Sequence, residues 1–190
     1  RVDFATFSGH KFHAVRGVGF VYKKAGKKIT PLLTGGGQEK DFRSTTENVA
    51  GIASMAKALR LVTDKEEFSL PKIAKMKKII FDELAKYEDI TIFSGEGEDF
   101  APNILTFGIK GVRGEVIVHA FEEHQIYIST TSACSSKAGK PAGTLISMGV
   151  PTKLAQTAVR ISLDDDNDMG QVEQFLTIFK QVYAKTQKVR

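Results

Sequence analysis

The sequence predicts an α/β protein. Short apolar runs bounded by Gly, His, Lys or Asp alternate along the chain with longer stretches of helical period. The 190 residues, 42% hydrophobic and 26% charged, have the composition of an ordinary globular protein and are enough to bury a core. The alternation by itself leaves α/β and α+β both open.

Taken in order, residues 2–7 and 17–22 read as strands. A loop with Pro31 and Gly35-Gly36-Gly37 follows. Across 45–62, the residues Val49, Ile52, Met55, Ala56 and Leu59 recur at helical spacing and predict a helix with those side chains inward. A second long amphipathic helix is predicted over 66–87, with Ile73, Met76, Ile79 and Ile80 inward and Lys72, Lys75, Lys77 and Lys78 on a solvated face. Strands are expected at 90–93 and 103–107, a helix at 115–123 and a strand at 126–128. Residues 129–141, rich in Ser, Thr, Ala, Gly and Lys, have no period and read as a loop. A strand at 159–163 leads to the acidic turn 164–168, which suits the cap of a last helix from 169 to about 185. The first strands and the Gly-rich loop form one body and the remainder another, with the break near the helix over 45–62. There is no internal repeat and no low-complexity tail. A chain that opens at Arg1 with a strand and no initiator Met reads as a piece of something longer.

Several function classes are set aside. One cysteine excludes a disulfide framework and a Cys-based zinc site within the chain. No apolar run approaches the roughly 18 residues of a membrane span. No secretory signal is read, so the expected compartment is the reducing cytoplasm, with no membrane partner. The net charge of +5 is uneven: residues 1–95 carry +6 and residues 96–190 carry −1. The lysine clusters lack interleaved aromatic residues, which favours a solvated helix face over direct nucleic-acid binding. His13, His119 and His124 have no metal-like spacing, so no metal site is read.

Four places carry candidate chemistry. Ser8-Gly9-His10-Lys11 lies at the end of the first strand. A lysine there, flanked by hydroxyl and imidazole donors, suits a Schiff base beside a bound anion such as a phosphate; a surface lysine in a turn would look the same. The Gly-rich loop 34–39 and the run Arg43-Ser44-Thr45-Thr46-Glu47-Asn48 lead into a helix whose N-terminus favours an anion, though neither the P-loop nor the dinucleotide spacing is present. Cys134 sits among hydroxyls and ahead of Lys137 and Lys140, which favours a thiolate in a reactive loop; a small buried hydrophobe is the other reading. Arg160 shares a strand face with Ser162 and suits a fork-like clamp on a carboxylate, or an ion pair with an aspartate just downstream.

Taken together and in order, these pieces resemble the cysteine desulfurases, the NifS-like group of the class V aminotransferase family. The resemblance also draws on Gly17-Val18-Gly19, Ala101-Pro102-Asn103-Ile104-Leu105 and Arg160-Ile161-Ser162-Leu163, and covers nearly the whole chain. It implies the C-terminal part of a pyridoxal-phosphate-dependent transferase fold, with residues 1–48 ending the large cofactor domain and 49–190 forming a linking helix and a small α+β domain. It implies pyridoxal 5'-phosphate carried on Lys11, with Ser8 and His10 on its phosphate. Thr46 would reach the phosphate of the neighbouring subunit, which makes a homodimer. Arg160 would clamp the substrate carboxylate. Cys134 would be the nucleophile that takes sulfur from L-cysteine as a persulfide, leaving alanine. An acceptor protein, an iron–sulfur scaffold or a tRNA-thiolation enzyme, would then receive it.

Two features depart from the family pattern. Thr45 stands where the family has Gly. Members are also about twice this length, beyond the usual one-domain size. The half that supplies the ring-stacking residue and the Asp on the pyridine nitrogen falls outside these residues, so the piece is expected to be inactive alone. Rival readings are a selenocysteine lyase or another class V member, a non-catalytic interaction fragment, and a basic RNA-binding module.

Overall fold

The computed structural model describes residues 2–97, 99–130 and 143–188. The chain divides into two compact units, Arg1–Glu67 and Phe68–Arg190. The division therefore lies inside a helix, whereas the sequence placed a domain boundary between residues 48 and 49.

The first unit begins with an antiparallel ribbon of β1 (Phe4–Ser8) and β2 (Gly19–Lys23), in register from Phe4 opposite Lys23 to Ser8 opposite Gly19. A single 3-10 turn, Gly9–Phe12, follows β1, and a second spans Gln38–Asp41. Pleating puts Phe7 and Phe20 on one ribbon face, where their rings stack at 4.6 Å. Phe12, Val18 and Phe20 then pack on a small core of Ala14, Met55 and Ala58.

Met55 and Ala58 come from α1 (Val49–Leu84), a single helix of 36 residues. It starts at Val49 rather than at 45 because the Asn48 side chain caps it: Oδ1 accepts the Gly51 N–H at 3.0 Å. Its buried stripe in this unit is Gly51, Met55 and Ala58, while Val49 is 72% exposed and Leu59 is also exposed. Met55 and Ala58 meet Ala14, while Gly51 lies against the side chain of its own cap, Asn48. The break expected between two helices is missing. Thr63, at the expected gap, turns its hydroxyl back onto the Leu59 and Arg60 carbonyls at 3.1 and 2.9 Å, satisfying it within the helix. Pro71 lies inside the helix. Lacking an N–H, it leaves the Glu67 carbonyl without its usual donor four residues on.

The second unit holds a four-stranded antiparallel sheet in the order β3-β4-β6-β5. Its strands are β3 (Ile90–Ile92), β4 (Ile104–Ile109), β5 (Ser129–Thr130) and β6 (Ala158–Ser162). The helices are the C-terminal part of α1, α2 (Gly114–Glu122), the short α3 (Gly143–Ser147) and α4 (Thr152–Ala155), and α5 (Met169–Lys188). This alternation bears out the α/β expectation, with every described strand pair antiparallel. The expected strand at 126–128 is displaced to Ser129–Thr130, where β5 pairs with β6.

Leu105, Phe107 and Ile109 of β4 and Val159 and Ile161 of β6 point to one sheet face. There they meet Ile73, Met76, Ile80 and Leu84 of α1, Ile117 and Phe121 of α2, and Val172, Phe175, Phe179 and Val182 of α5. The aromatic rings are ordered within this core: Phe121 stacks on Phe175 at 5.1 Å, and Tyr87 meets Phe179 edge-on at 5.2 Å. A smaller cluster of Leu145, Ala155 and Ala158 packs with Phe93 and Val150.

Lys77 departs from the solvated face the sequence assigned it: it is only 6% exposed. Its Nζ donates to the Ala101 carbonyl at 2.8 Å and the Gly95 carbonyl at 3.3 Å, pinning both ends of one loop. Burial lowers its pKa below the ordinary 10.5, against an opposing pull from the Glu96 carboxylate. Lys78, by contrast, stays in solvent and pairs with Asp82 at 2.6 Å and Glu96 at 3.2 Å. No helix among the described residues is long and apolar enough to cross a membrane.

A depressed lysine pKa means that the unfolded chain binds more protons in the window between the folded value and 10.5, so this group adds stability as pH rises through it. The stability of the wild type relative to Lys77→Met should therefore climb between neutral pH and 10.5. Chemical denaturation of both proteins across that range is the check, and a flat or falling difference would contradict the burial of the ammonium.

Candidate functional site

Ser8, His10 and Lys11 are brought together by one turn of backbone. Ser8 ends β1 in extended conformation, with φ −99° and ψ 121°. The Gly9 N–H donates to the Val18 carbonyl at 2.8 Å, and the Ala14 N–H donates to the Gly9 carbonyl at 3.0 Å. These two bonds fasten the turn against the start of β2. A Cβ on Gly9 would lie 3.0 Å from Val18 O and 3.1 Å from both Ala14 Cβ and Val18 Cγ1, so a side chain there would crowd its neighbours. His13 closes the turn in the left-handed region at φ 69°. The Val15 N–H reaches Ser54 Oγ on α1 at 3.4 Å.

The consequence is a division of labour within four residues. Gly9 is buried, while Ser8, His10 and Lys11 are exposed. Among the described residues, none of those three side chains is engaged in a hydrogen bond or ion pair. A hydroxyl, an imidazole and a primary amine are thus exposed on one short stretch of backbone with no partner among the described residues. That donor set fits an anionic phosphate together with a carbonyl carbon that an amine can attack.

Thr46 lies in the segment between the second 3-10 turn and α1, exposed, and shares no hydrogen bond with Ser8, His10 or Lys11. The loop ahead of it is closed by the Ser44 N–H donating to the Leu33 carbonyl at 3.0 Å. Gly37, Glu39, Lys40 and Asp41 all have positive φ, at 82°, 51°, 55° and 64°. Left-handed backbone at non-glycine residues costs roughly 1–2 kcal/mol each, so this loop is held against its own preference.

Arg160 stands on β6 between Thr106 of β4 and Ser129 of β5 in register. Val159 and Ile161 face the core, so Arg160 and Ser162 share the other sheet face. Arg160 Nε donates to Ser162 Oγ at 3.2 Å. The alternative ion pair with a downstream aspartate is not formed: among the described residues Arg160 makes no salt bridge. Asp168 instead accepts the Gln171 N–H at 2.9 Å, next to the start of α5. Cys134, with Lys137 and Lys140, lies outside the described residues.

An open cavity of about 640 Å³ is lined by Leu70, Pro71, Ala74, Phe81 and Phe100 beside Lys77. None of the candidate site residues Ser8, His10, Lys11, Thr46 and Arg160 lines it. Lys77 is a buried charged residue that sequence reasoning missed, and the signal was there: 73, 77, 80 and 84 fall on one helical stripe.

The aminotransferase class-V family model matches residues 1–175. A NifS/IcsS protein homolog of Lactobacillus delbrueckii subsp. bulgaricus is 47% identical over 189 residues, covering 100% of this chain and 49% of that protein. The cysteine desulfurase IscS of Dictyoglomus turgidum is 35% identical over 162 residues, covering 85% of this chain and 41% of that one. Among solved structures, a NifS-like protein from Rickettsia africae superimposes with a TM-score of 0.82 at 32% identity, over 96% of this chain and 48% of that one. The chain thus spans about half the length of the relatives it matches.

Substituting Gly9→Ala should lower thermal stability by about 1 kcal/mol or more through overpacking. It should also shift the backbone amide signals of residues 8–14 while leaving those of β4 and β6 in place. Unchanged signals over 8–14 would show that the turn does not depend on this close approach.

Proposed function

The chain belongs to the aminotransferase class-V family, and from that premise we propose that it is part of a pyridoxal-phosphate-dependent cysteine desulfurase. The single observation that carries this reading is the exposed turn that presents Ser8, His10 and Lys11 with uncommitted donors. The names of the similar proteins support the choice of reaction.

In this proposal Ser8 Oγ and the His10 ring N–H hold the phosphate, and Lys11 Nζ carries the cofactor. Thr46, exposed ahead of α1, serves the phosphate of a second copy, which makes the working form a homodimer. When bound, pyridoxal phosphate supplies an electron sink that labilises bonds around the substrate's α-carbon. Arg160 grips the carboxylate of L-cysteine and fixes the direction in which the substrate lies. Lys11 Nζ would also move the proton at the carbon beside that carboxylate. The Cys134 thiolate then forms a bond to the substrate sulfur as the carbon–sulfur bond breaks. In net terms, the Cys134 thiol and L-cysteine give a Cys134 persulfide and L-alanine. The persulfide passes its outer sulfur to an acceptor protein.

Reductive trapping tests the proposal. The chain is mixed with pyridoxal phosphate, reduced with borohydride and mapped by mass spectrometry beside Lys11→Ala. Stoichiometric label confined to Lys11 and lost in the variant is expected. Label scattered over surface lysines and unchanged in the variant would overturn the assignment of Lys11. Only where the other half of the family fold is also supplied should L-cysteine give a persulfide adduct on the Cys134 peptide, and Cys134→Ala should abolish it together with alanine release.

A further inference from the structure

We propose that Ser162 is a positioning residue for Arg160, closing the Nε edge of the guanidinium and directing an incoming carboxylate to the Nη1–Nη2 edge. The inference rests on the reading of Arg160 as a carboxylate clamp.

A guanidinium offers five N–H donors in a planar fork. A carboxylate can pair with it side-on, through Nε and one Nη, or end-on, through both Nη atoms. Here Nε already donates to Ser162 Oγ at 3.2 Å. That bond leaves the four Nη donors for a ligand and blocks the side-on edge.

The arrangement follows from strand geometry. Residues two apart on a strand project to the same face, so Ser162 is placed beside Arg160 by β6 itself. The flanking strands do not compete for either group. The register partners of Arg160 are Thr106 and Ser129, neither charged, and Ser162 lies opposite Ile104, which has no polar side-chain atom. Among the described residues no carboxylate pairs with Arg160, and its one side-chain hydrogen bond is the one to Ser162. A long side chain with several rotatable bonds is thereby given a preferred direction before a ligand arrives. Pre-ordering of this kind lowers the conformational cost charged to binding.

Side-chain nitrogen NMR of the whole chain reads both halves of the inference. L-alanine, which has the substrate's carboxylate and amine without its thiol, is the probe, and Ser162→Ala and Ser162→Thr are the variants. In the wild type the Arg160 Nε–H should exchange slowly, and L-alanine should move the Nη signals more than Nε. In Ser162→Ala the Nε–H should lose its protection, and the apparent Kd for L-alanine should rise about three- to tenfold, the usual worth of one hydrogen bond. Ser162→Thr, which keeps the hydroxyl and suits a strand, should restore both. The proposal fails if Ser162→Ala, with its backbone amide spectrum intact, binds L-alanine as the wild type does. It fails together with the clamp reading if L-alanine leaves Arg160 unmoved in the wild type, and the wild-type titration alone tells these two failures apart.

Discussion

The pleat of β6 is the constraint on which the second unit depends. Five residues, Ala158–Ser162, supply both the sheet's central core and its polar face. Val159 and Ile161 close the core against three helices, and for that reason alone Arg160 and Ser162 stand on the opposite side. A slip of one residue would exchange the two sets, placing a guanidinium among Phe107, Phe121 and Phe179. Pairing of β6 with β4 on one side and β5 on the other fixes the register against such a slip. The core and the candidate clamp are therefore two readings of one alternation.

The first unit solves a different problem with fewer apolar contacts. A two-stranded ribbon is marginal by itself, and here Phe4, Val21 and Tyr22 of the ribbon remain exposed. What holds the Lys11 turn is local: two backbone bonds through Gly9, the Phe7–Phe20 stack, and the Met55–Ala58 face of α1. The buried glycine bears the packing, which leaves its three polar neighbours free of structural duties. Helix α1 contributes to both cores, with small residues in one and Ile73, Met76, Ile80 and Leu84 in the other.

Much of this was legible in the sequence. The alternation of strands and helices, the inward set Ile73, Met76 and Ile80, and the shared face of Arg160 and Ser162 all follow from periods of 3.6 and 2 that a chain displays openly. Periodicity fails where the neighbour decides. Gly51 is buried under its own capping Asn48 side chain and Ala58 against the cluster around Ala14, and no hydrophobicity pattern announces either. Pro71 sits inside α1, within the helix expected over 66–87, since a proline costs one helical bond and the flanking apolar stripe outweighs it. The five-residue α3 and four-residue α4 are too short to show a period at all. Lys77 was misplaced because a charge was read as a solvent mark, although its position on the stripe of Ile73 and Ile80 said otherwise.

That lysine changes what the surface offers to chemistry. Acylating reagents and acetyl-transferring enzymes need an amine that is both solvent-accessible and free to lose its proton. Lys72, Lys75 and Lys78 lie exposed on the same helix. The Lys77 amine is enclosed and spoken for by two backbone carbonyls, so its low basicity does not translate into reactivity. A run of four lysines within seven positions thus contains one that surface chemistry will pass over for as long as the loop it fastens stays closed.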